Sequence, residues 1–326
     1  MGKGSIGTAE FERLVARTGN AKYLARPYTG RKDGMPVSEC VRMAFENDRN
    51  IAAASGTMTG DDPMITALAV YRAGNVLAAR GRKAETYALL LSVPKEMPEE
   101  AVRPFMRKAY EAAEFADVSI IRTDAAHVTA QATVFGGAMP GGAEAFGGAA
   151  DRNPEFPDGE YRIILCGQAG SEETMLLYGQ YRERLSAKYP EHFLSEIPSL
   201  ADGLDARKLC ETGWKNGMVY AYACGDGGVY AGLFGMSERI RTGLSVSLPE
   251  IPISQKTIEV CEELNIDPYQ IGSGGCVLMI TRDPERLLSA LYAEGAEAAD
   301  IGCLQDGFAK ELHNGDEVRC LEPYRG

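Results

Sequence analysis

The sequence predicts an α/β (α+β) chain of two domains, and three observations carry that prediction. Short apolar or alternating runs with strand character alternate with amphipathic helical runs, the pattern of helices layered on sheets. The segment GGAMPGGAEAFGGAA at 136–150 holds six glycines and a proline, and divides the chain near its middle. A length of 326 residues suits about two domains with a substantial core. The expected domains are 1–150 and 151–326, parting within Gly136–Gly159.

In the first half, Thr8–Arg17 reads as a helix, followed by a Gly/Pro/Arg-rich connection through Pro27 and Gly30. Asn50–Ser55 reads as a short strand and Thr57–Gly60 as a loop. Pro63 opens a helix over MITALAVYRAGNVLAA, which Gly81 ends. Its apolar positions are interleaved with Ala67, Ala73, Gly74, Ala78 and Ala79, small enough for close contact with another helix or a sheet. Tyr87–Val93 is a buried strand. A helix from Met97-Pro98-Glu99-Glu100 to about Ala116 has acidic residues in its first turn, as the macrodipole favours. Val118–Ile121 and the alternating His127–Phe135 read as strands.

In the second half, Tyr161–Cys166 is a strand running into Gly167–Gly170, and Ser171 starts a helix that stops at Pro190. A second helical piece spans His192–Ile197, and Asp205–Asn216 is amphipathic around Trp214. Val219–Cys224 is a strand that meets the glycine run 225–228 and a helix to Ile240. Pro284–Glu294 is a helix, and Ala299–Leu304 and Glu317–Leu321 are strands.

The stretch Leu248–Ile280 is the most informative. Pro249 and Pro252 keep it extended. Ser254 is placed as an N-cap before a helix with Ile258, Cys261 and Leu264 on one face. Asn265 can leave the helix through the left-handed region, and Asp267-Pro268 prevents its continuation. Gly272–Gly275 then turns the chain into the core strand Cys276–Ile280.

The net charge of −12 argues against a nucleic-acid or anionic-membrane partner. No apolar run approaches the roughly 20 residues of a membrane helix, and MGKGSIGT lacks the apolar core of a signal peptide. Eight scattered cysteines without a C-x-x-C pair or nearby histidines argue against zinc and for a reduced, cytoplasmic setting.

The order proline segment, short helix, glycine turn and core strand resembles the C-terminal half of the aminoimidazole ribonucleotide synthetase (PurM-like) superfamily. The branch it is most similar to is the hydrogenase maturation factors (HypE-like), which dehydrate a thiocarboxamide with ATP. Ile251-Pro252-Ile253, Thr257, Cys261, Asp267-Pro268-Tyr269 and Gly274-Gly275 match that pattern. Residues 71–81, 87–92, 169–174 and 189–194 extend the resemblance over nearly the whole chain. It implies a first domain that dimerises through a barrel-like sheet, a second α/β domain, and ATP in the cleft between them.

The same resemblance implies acidic residues that hold Mg²⁺ against ATP phosphates. Those positions differ here. Gly56 stands where "(T/S)DP(I/V)T" has its aspartate, and Val76 where "NDLAA" has one. Residues 123–129 lack the glycines and glutamate of "GGHTEVT". Ala223 replaces the aspartate of "HDVTEGGV", with Asp226 in the glutamate slot. The chain ends Pro-Tyr-Arg-Gly instead of in the carbamoyl-carrying cysteine.

The candidate nucleotide or anion cleft is Asp61, Asp62, Gly225, Asp226, Gly227 and Gly228. The glycine run between a strand and a helix could hold an anion on its amides, although Asp226 would oppose a phosphate without a metal. Asp61 and Asp62 read as an acidic pair at a helix N-terminus before Pro63, ahead of a metal role. Lys83 reads as a solvated charge and His127 as a packed or solvated strand residue.

The reading that follows is a catalytically diverged, dimeric paralogue with a binding or scaffold role, assembling with itself and with an intact paralogue or maturation partner. The alternative is an active ATP-dependent kinase or dehydrating ligase whose Mg-ATP site is rebuilt on Asp61, Asp62 and Asp226. A third is a small-metabolite sensor using the old cleft. ATP and magnesium are cofactors only in the rebuilt case. The expected dimer forms through the N-terminal domain, on the family-like first half and the small-residue helix Ala67–Ala79.

Overall fold

The computed structural model describes residues 40–44, 50–139, 156 and 159–324. The expected helix at Thr8–Arg17 lies outside them. The first half contains strands β1 (Cys40–Ala44), β2 (Asn50–Gly60), β3 (Arg82–Pro94), β4 (Phe115–Thr123) and β5 (Val128–Ala138), with helices α1 (Met64–Ala79) and α2 (Glu99–Ala112). The strands form one sheet in the order β1-β2-β5-β3-β4. Only β3 and β4 run parallel, as their connection through α2 requires.

Both helices lie against one face of this sheet. Leu68, Leu77 and Ile65 of α1 and Phe105 of α2 pack on Leu91, Val93, Ala130 and Val134. The small residues of α1 serve this contact. An added Cβ at Gly56 on β2 would lie 2.4 Å from the Ala69 carbonyl oxygen, so the strand and helix backbones almost touch. On another side of α1, Ala78 and Ala79 pack into the second half beside Trp214, whose Nε1 donates to the Ala78 carbonyl at 3.0 Å. Helix α1 is thus the shared wall of both halves, and its small residues are used within the chain. They are no separate argument for a dimer.

The second half contains strands β6 (Arg162–Cys166), β7 (Met218–Ala223), β8 (Gly243–Ser247), β9 (Val277–Thr281), β10 (Ala298–Gln305), β11 (Lys310–Asn314) and β12 (Glu317–Cys320). Its helices are α3 (Ser171–Gln180), α4 (Arg182–Lys188), α5 (Glu191–Leu194), α6 (Arg207–Lys215), α7 (Gly228–Ile240), α8 (Gln255–Leu264) and α9 (Pro284–Ala293). The sheet order is β12-β11-β8-β10-β6-β9-β7. Strand β9 is buried along its whole length, and each of Leu278, Met279 and Ile280 contributes about 1.5–3 kcal/mol by burial. Helix α7 covers one face of the sheet, while α6 and α9 cover the other.

The Leu248–Ile280 stretch folds as its residues dictate. Ser254 caps α8 by accepting from the Lys256 amide at 3.2 Å, and Asn265 ends it at φ 56°. Elsewhere the structure corrects the reading. Thr57–Gly60 is strand, not loop: Met58 turns into the core, and the Thr59 and Thr129 hydroxyls meet at 3.0 Å on the open face. Strand β3 begins at Arg82, well before Tyr87, and α2 stops at Ala112 rather than Ala116. Strand β11 was not foreseen; it pairs with β8 in parallel, a non-local partnership that its short polar sequence does not announce.

The glycine segment also begins later than expected. Gly136–Ala138 complete the central strand β5, paired to β2 and β3. Glycine is needed there because a Cβ at Gly136 would lie 2.0 Å from the Lys83 carbonyl oxygen. Residues 140–155 lie outside the described residues. Among the described residues no helix is long and apolar enough to cross a membrane.

Candidate functional site

Three glycine-bearing turns of the second half pack together, Gly167–Gly170 after β6, Gly225–Gly228 after β7 and Gly272–Gly275 before β9, and the last two reach α1. Hydrogen bonds lock them together. The Gly170 amide donates to Ser273 Oγ at 2.9 Å, the Ser273 amide to the Gly225 carbonyl at 3.1 Å, and the Glu173 amide to the Gly272 carbonyl at 3.1 Å. Gly227 and Gly228 have φ of 73° and 69°, and a Cβ at Gly228 would lie 2.4 Å from the Tyr269 carbonyl oxygen.

Two side chains of α1, one turn apart, enter this junction. Asn75 is fully buried and makes three bonds to the second half. Its Nδ2 donates to the Leu204 and Gly274 carbonyls at 2.8 and 3.0 Å, and its Oδ1 accepts from the Ala206 amide at 2.9 Å. Arg72 lies opposite Glu172 of α3 in a bidentate pair, with Nε to Oε1 at 2.8 Å and NH2 to Oε2 at 2.7 Å. Glu172 is 1% exposed and also accepts from the Gly274 amide at 2.9 Å. A Cβ at Gly274 would lie 2.4 Å from Glu172 Oε1, so only glycine lets the carboxylate reach that amide. The remaining Arg72 nitrogen, NH1, is 2.8 Å from Asp226 Oδ1. The adjacent Glu173 carboxyl is pushed above the ordinary glutamate range, first by burial and next by the Glu172 charge.

The six expected site residues are only partly brought together. Asp226 and its glycines are at the junction, but Asp226 faces an arginine. Amides of the loop and of the first turn of α7 are committed: Gly228 donates to the Gly225 carbonyl and Tyr230 to the Tyr269 carbonyl. Asp62 caps α1, its Oδ1 accepting from the Met64 amide at 2.8 Å. Asp61 is exposed and pairs with His127 Nδ1 at 3.0 Å. The start of α1 is about two turns from Arg72, roughly 12 Å along the helix. Asp61 and Asp62 are therefore not neighbours of Asp226. Among the described residues no group of three His, Cys, Asp or Glu side chains comes together, so the three candidate acids do not form one cation site.

Sequence reasoning missed Arg72, Glu172 and Glu173. Glu172-Glu173 has the appearance of an ordinary acidic first turn, and nothing local marks one of the pair as buried. The positions that depart from the acidic motifs have structural explanations of their own. Gly56 faces α1, where a carboxylate has no room, and Val76 and Ala223 pack partly into apolar clusters. The thiols of Cys166 and Cys224, close to the junction, are pushed up to about 12 by burial and behave as core residues.

A helix-backed sheet joined through a shared helix to a second α/β sheet, with glycine turns at the junction, is the PurM-like two-domain fold, on which other proteins bind nucleotides. No family model matches the chain. A protein of Methanocaldococcus jannaschii named for hydrogenase expression/formation is 27% identical over 255 residues, covering 76% of this chain and 71% of the relative. Escherichia coli HypE superposes with a TM-score of 0.68 at 17% identity, over 97% of this chain and 98% of that one. A HypE–HypF complex gives 0.66 at 15% identity, over 96% and 99%. The Aquifex aeolicus thiamine monophosphate kinase complexed with AMPPCP and TMP gives 0.63 at 12% identity, over 97% and 96%. The chain has the PurM-like fold and resembles its hydrogenase-maturation, HypE-like branch.

Proposed function

We propose that this chain is a catalytically diverged, cytoplasmic relative of the hydrogenase maturation factors, acting as a homodimeric binding or scaffold protein. The observation that carries the reading is Arg72. It brings a fixed positive charge to the junction and engages the Asp226 carboxylate that a rebuilt magnesium site would require. Phosphoryl transfer needs its charge neutralised by metal ions that carboxylates hold in place, and the other two candidate acids are spent on a helix cap and a histidine.

A scaffold role requires surfaces for partners. The first sheet's face opposite α1 exposes Thr57, Thr59 and Gln131, and its edge strand β4 exposes Ile120 and Ile121. Among the described residues no strand pairs with the outer edge of β4, and such an edge with exposed isoleucines suits association with a second copy. A maturation partner, or an intact paralogue, would join the dimer; HypE itself is known in a complex with HypF.

Calorimetric titration with ATP, with and without Mg²⁺, tests the reading. The expected result is that magnesium adds nothing to binding and that no turnover occurs. Low-micromolar, magnesium-dependent binding with hydrolysis would establish the active kinase or ligase instead.

A further inference from the structure

The two arms of Arg72 differ in kind. Its Nε and NH2 are held by a buried carboxylate that is itself anchored by the Gly274 amide. This arm fixes the position and plane of the guanidinium, and neutralises it without using NH1. The other arm, NH1, meets Asp226, whose side chain is 77% exposed. Asp226 sits in a glycine loop, and Gly225 has nothing within 4 Å of where a Cβ would project. A carboxylate mostly in water, with open space at Gly225 on one side and Tyr324 against Gly227 on the other, is a weak and exchangeable partner.

We propose that Arg72 is a metal-independent oxyanion receptor at the junction, and that the Asp226 carboxylate is its built-in counter-anion, displaced when a phosphate-bearing ligand binds. Guanidinium suits this task because its fork can bond Glu172 on two nitrogens and still offer N–H donors to a phosphate oxygen. Nothing covalent changes: one oxyanion replaces another on NH1, and Asp226 moves into solvent. The exchange also explains why the loop amides need not be free, since the side chain supplies the donor. The proposal rests on the reading that the junction lacks a magnesium site.

The test uses the full chain in excess chelator, titrated with ATP and, separately, with inorganic phosphate. Asp226→Asn removes the competing charge at an exposed position. It is expected to tighten ATP binding at least fivefold, with the gain falling as salt rises. Asp226→Glu keeps a carboxylate and is expected to show no such gain. Arg72→Lys combined with Asp226→Asn is expected to lose it, since a point charge cannot serve Glu172 and the ligand together. A gain with inorganic phosphate as well shows that the phosphate group suffices; a gain with ATP alone assigns the ligand class to nucleotides. If Asp226→Asn leaves both affinities unchanged or weakens them in chelator, the receptor is refuted. Weakening seen only with magnesium present would instead refute the function proposed above.

Discussion

Glu172→Gln is the most direct test of how the two halves are held. The substitution keeps the shape but removes the charge and replaces one acceptor by an amide donor. Glu172 accepts from two Arg72 nitrogens and from the Gly274 amide, at 2.7–2.9 Å. A glutamine can satisfy at most part of that set, and its NH₂ must face another donor. Breaking one side of a buried pair costs about 3–5 kcal/mol, because the partner charge stays buried. Here Arg72 keeps Asp226, an exposed contact of about 0–1 kcal/mol, so the lower end, about 3 kcal/mol, is expected. At about 2.1 cal/mol/K of unfolding entropy per residue, a chain of 326 residues shifts by about 1.5 °C per kcal/mol, so the melting temperature should fall by about 4–5 °C. Thermal unfolding followed by circular dichroism measures it. The double variant Glu172→Leu/Arg72→Met leaves no orphan charge and should recover much of the loss. A fall of under 1 °C for Glu172→Gln, or a double variant no more stable than the single one, would show that the pair is not the buried tie described.

Three further outcomes follow from the same geometry. Gly56→Asp should be strongly destabilising, by more than about 3 kcal/mol, since its Cβ would overlap the Ala69 carbonyl and its charge would be buried; a normally folded variant would mean that β2 does not touch α1. Glu173→Gln should stabilise the protein at pH 7 and have no effect near pH 4. The folded state holds the Glu173 proton more tightly than the unfolded chain does, so stability falls as pH rises from about 4.5 through the raised value. Equal gains at both pH values would remove the titration argument. Light scattering at micromolar concentration should report a dimer, and Ile120→Lys/Ile121→Lys should shift it toward monomer; a wild-type monomer would refute the proposed assembly.

Much of the architecture is legible in local chemistry. The helix at 255–264 needs only Ser254 to start it and Asn265 with Asp267-Pro268 to stop it, and all of that is written within a dozen residues. The strand at 277–281 is legible because five consecutive apolar or β-branched residues can only be buried. Helix α1 is legible as a tightly packed helix from its alanines and glycines. What its neighbours are is not: Gly56 reaches it from more than ten residues away and Trp214 from more than a hundred.

The site divides along the same line. Sequence by itself determined the glycine turns, the candidate acids at 61, 62 and 226, and the absence of aspartate at Gly56, Val76 and Ala223, because residue identity and chain-local conformation suffice for those. Only the tertiary structure decided that Asp62 caps a helix, that Asp61 pairs with His127, and that Asp226 faces Arg72 rather than either of them. It also decided that Glu172 is buried while its neighbour Glu173 is only partly so. Such distinctions depend on which charges meet in three dimensions and how much water each retains. Coulomb energy and desolvation are set by distance and burial, and neither quantity is encoded in the spacing of residues along the chain.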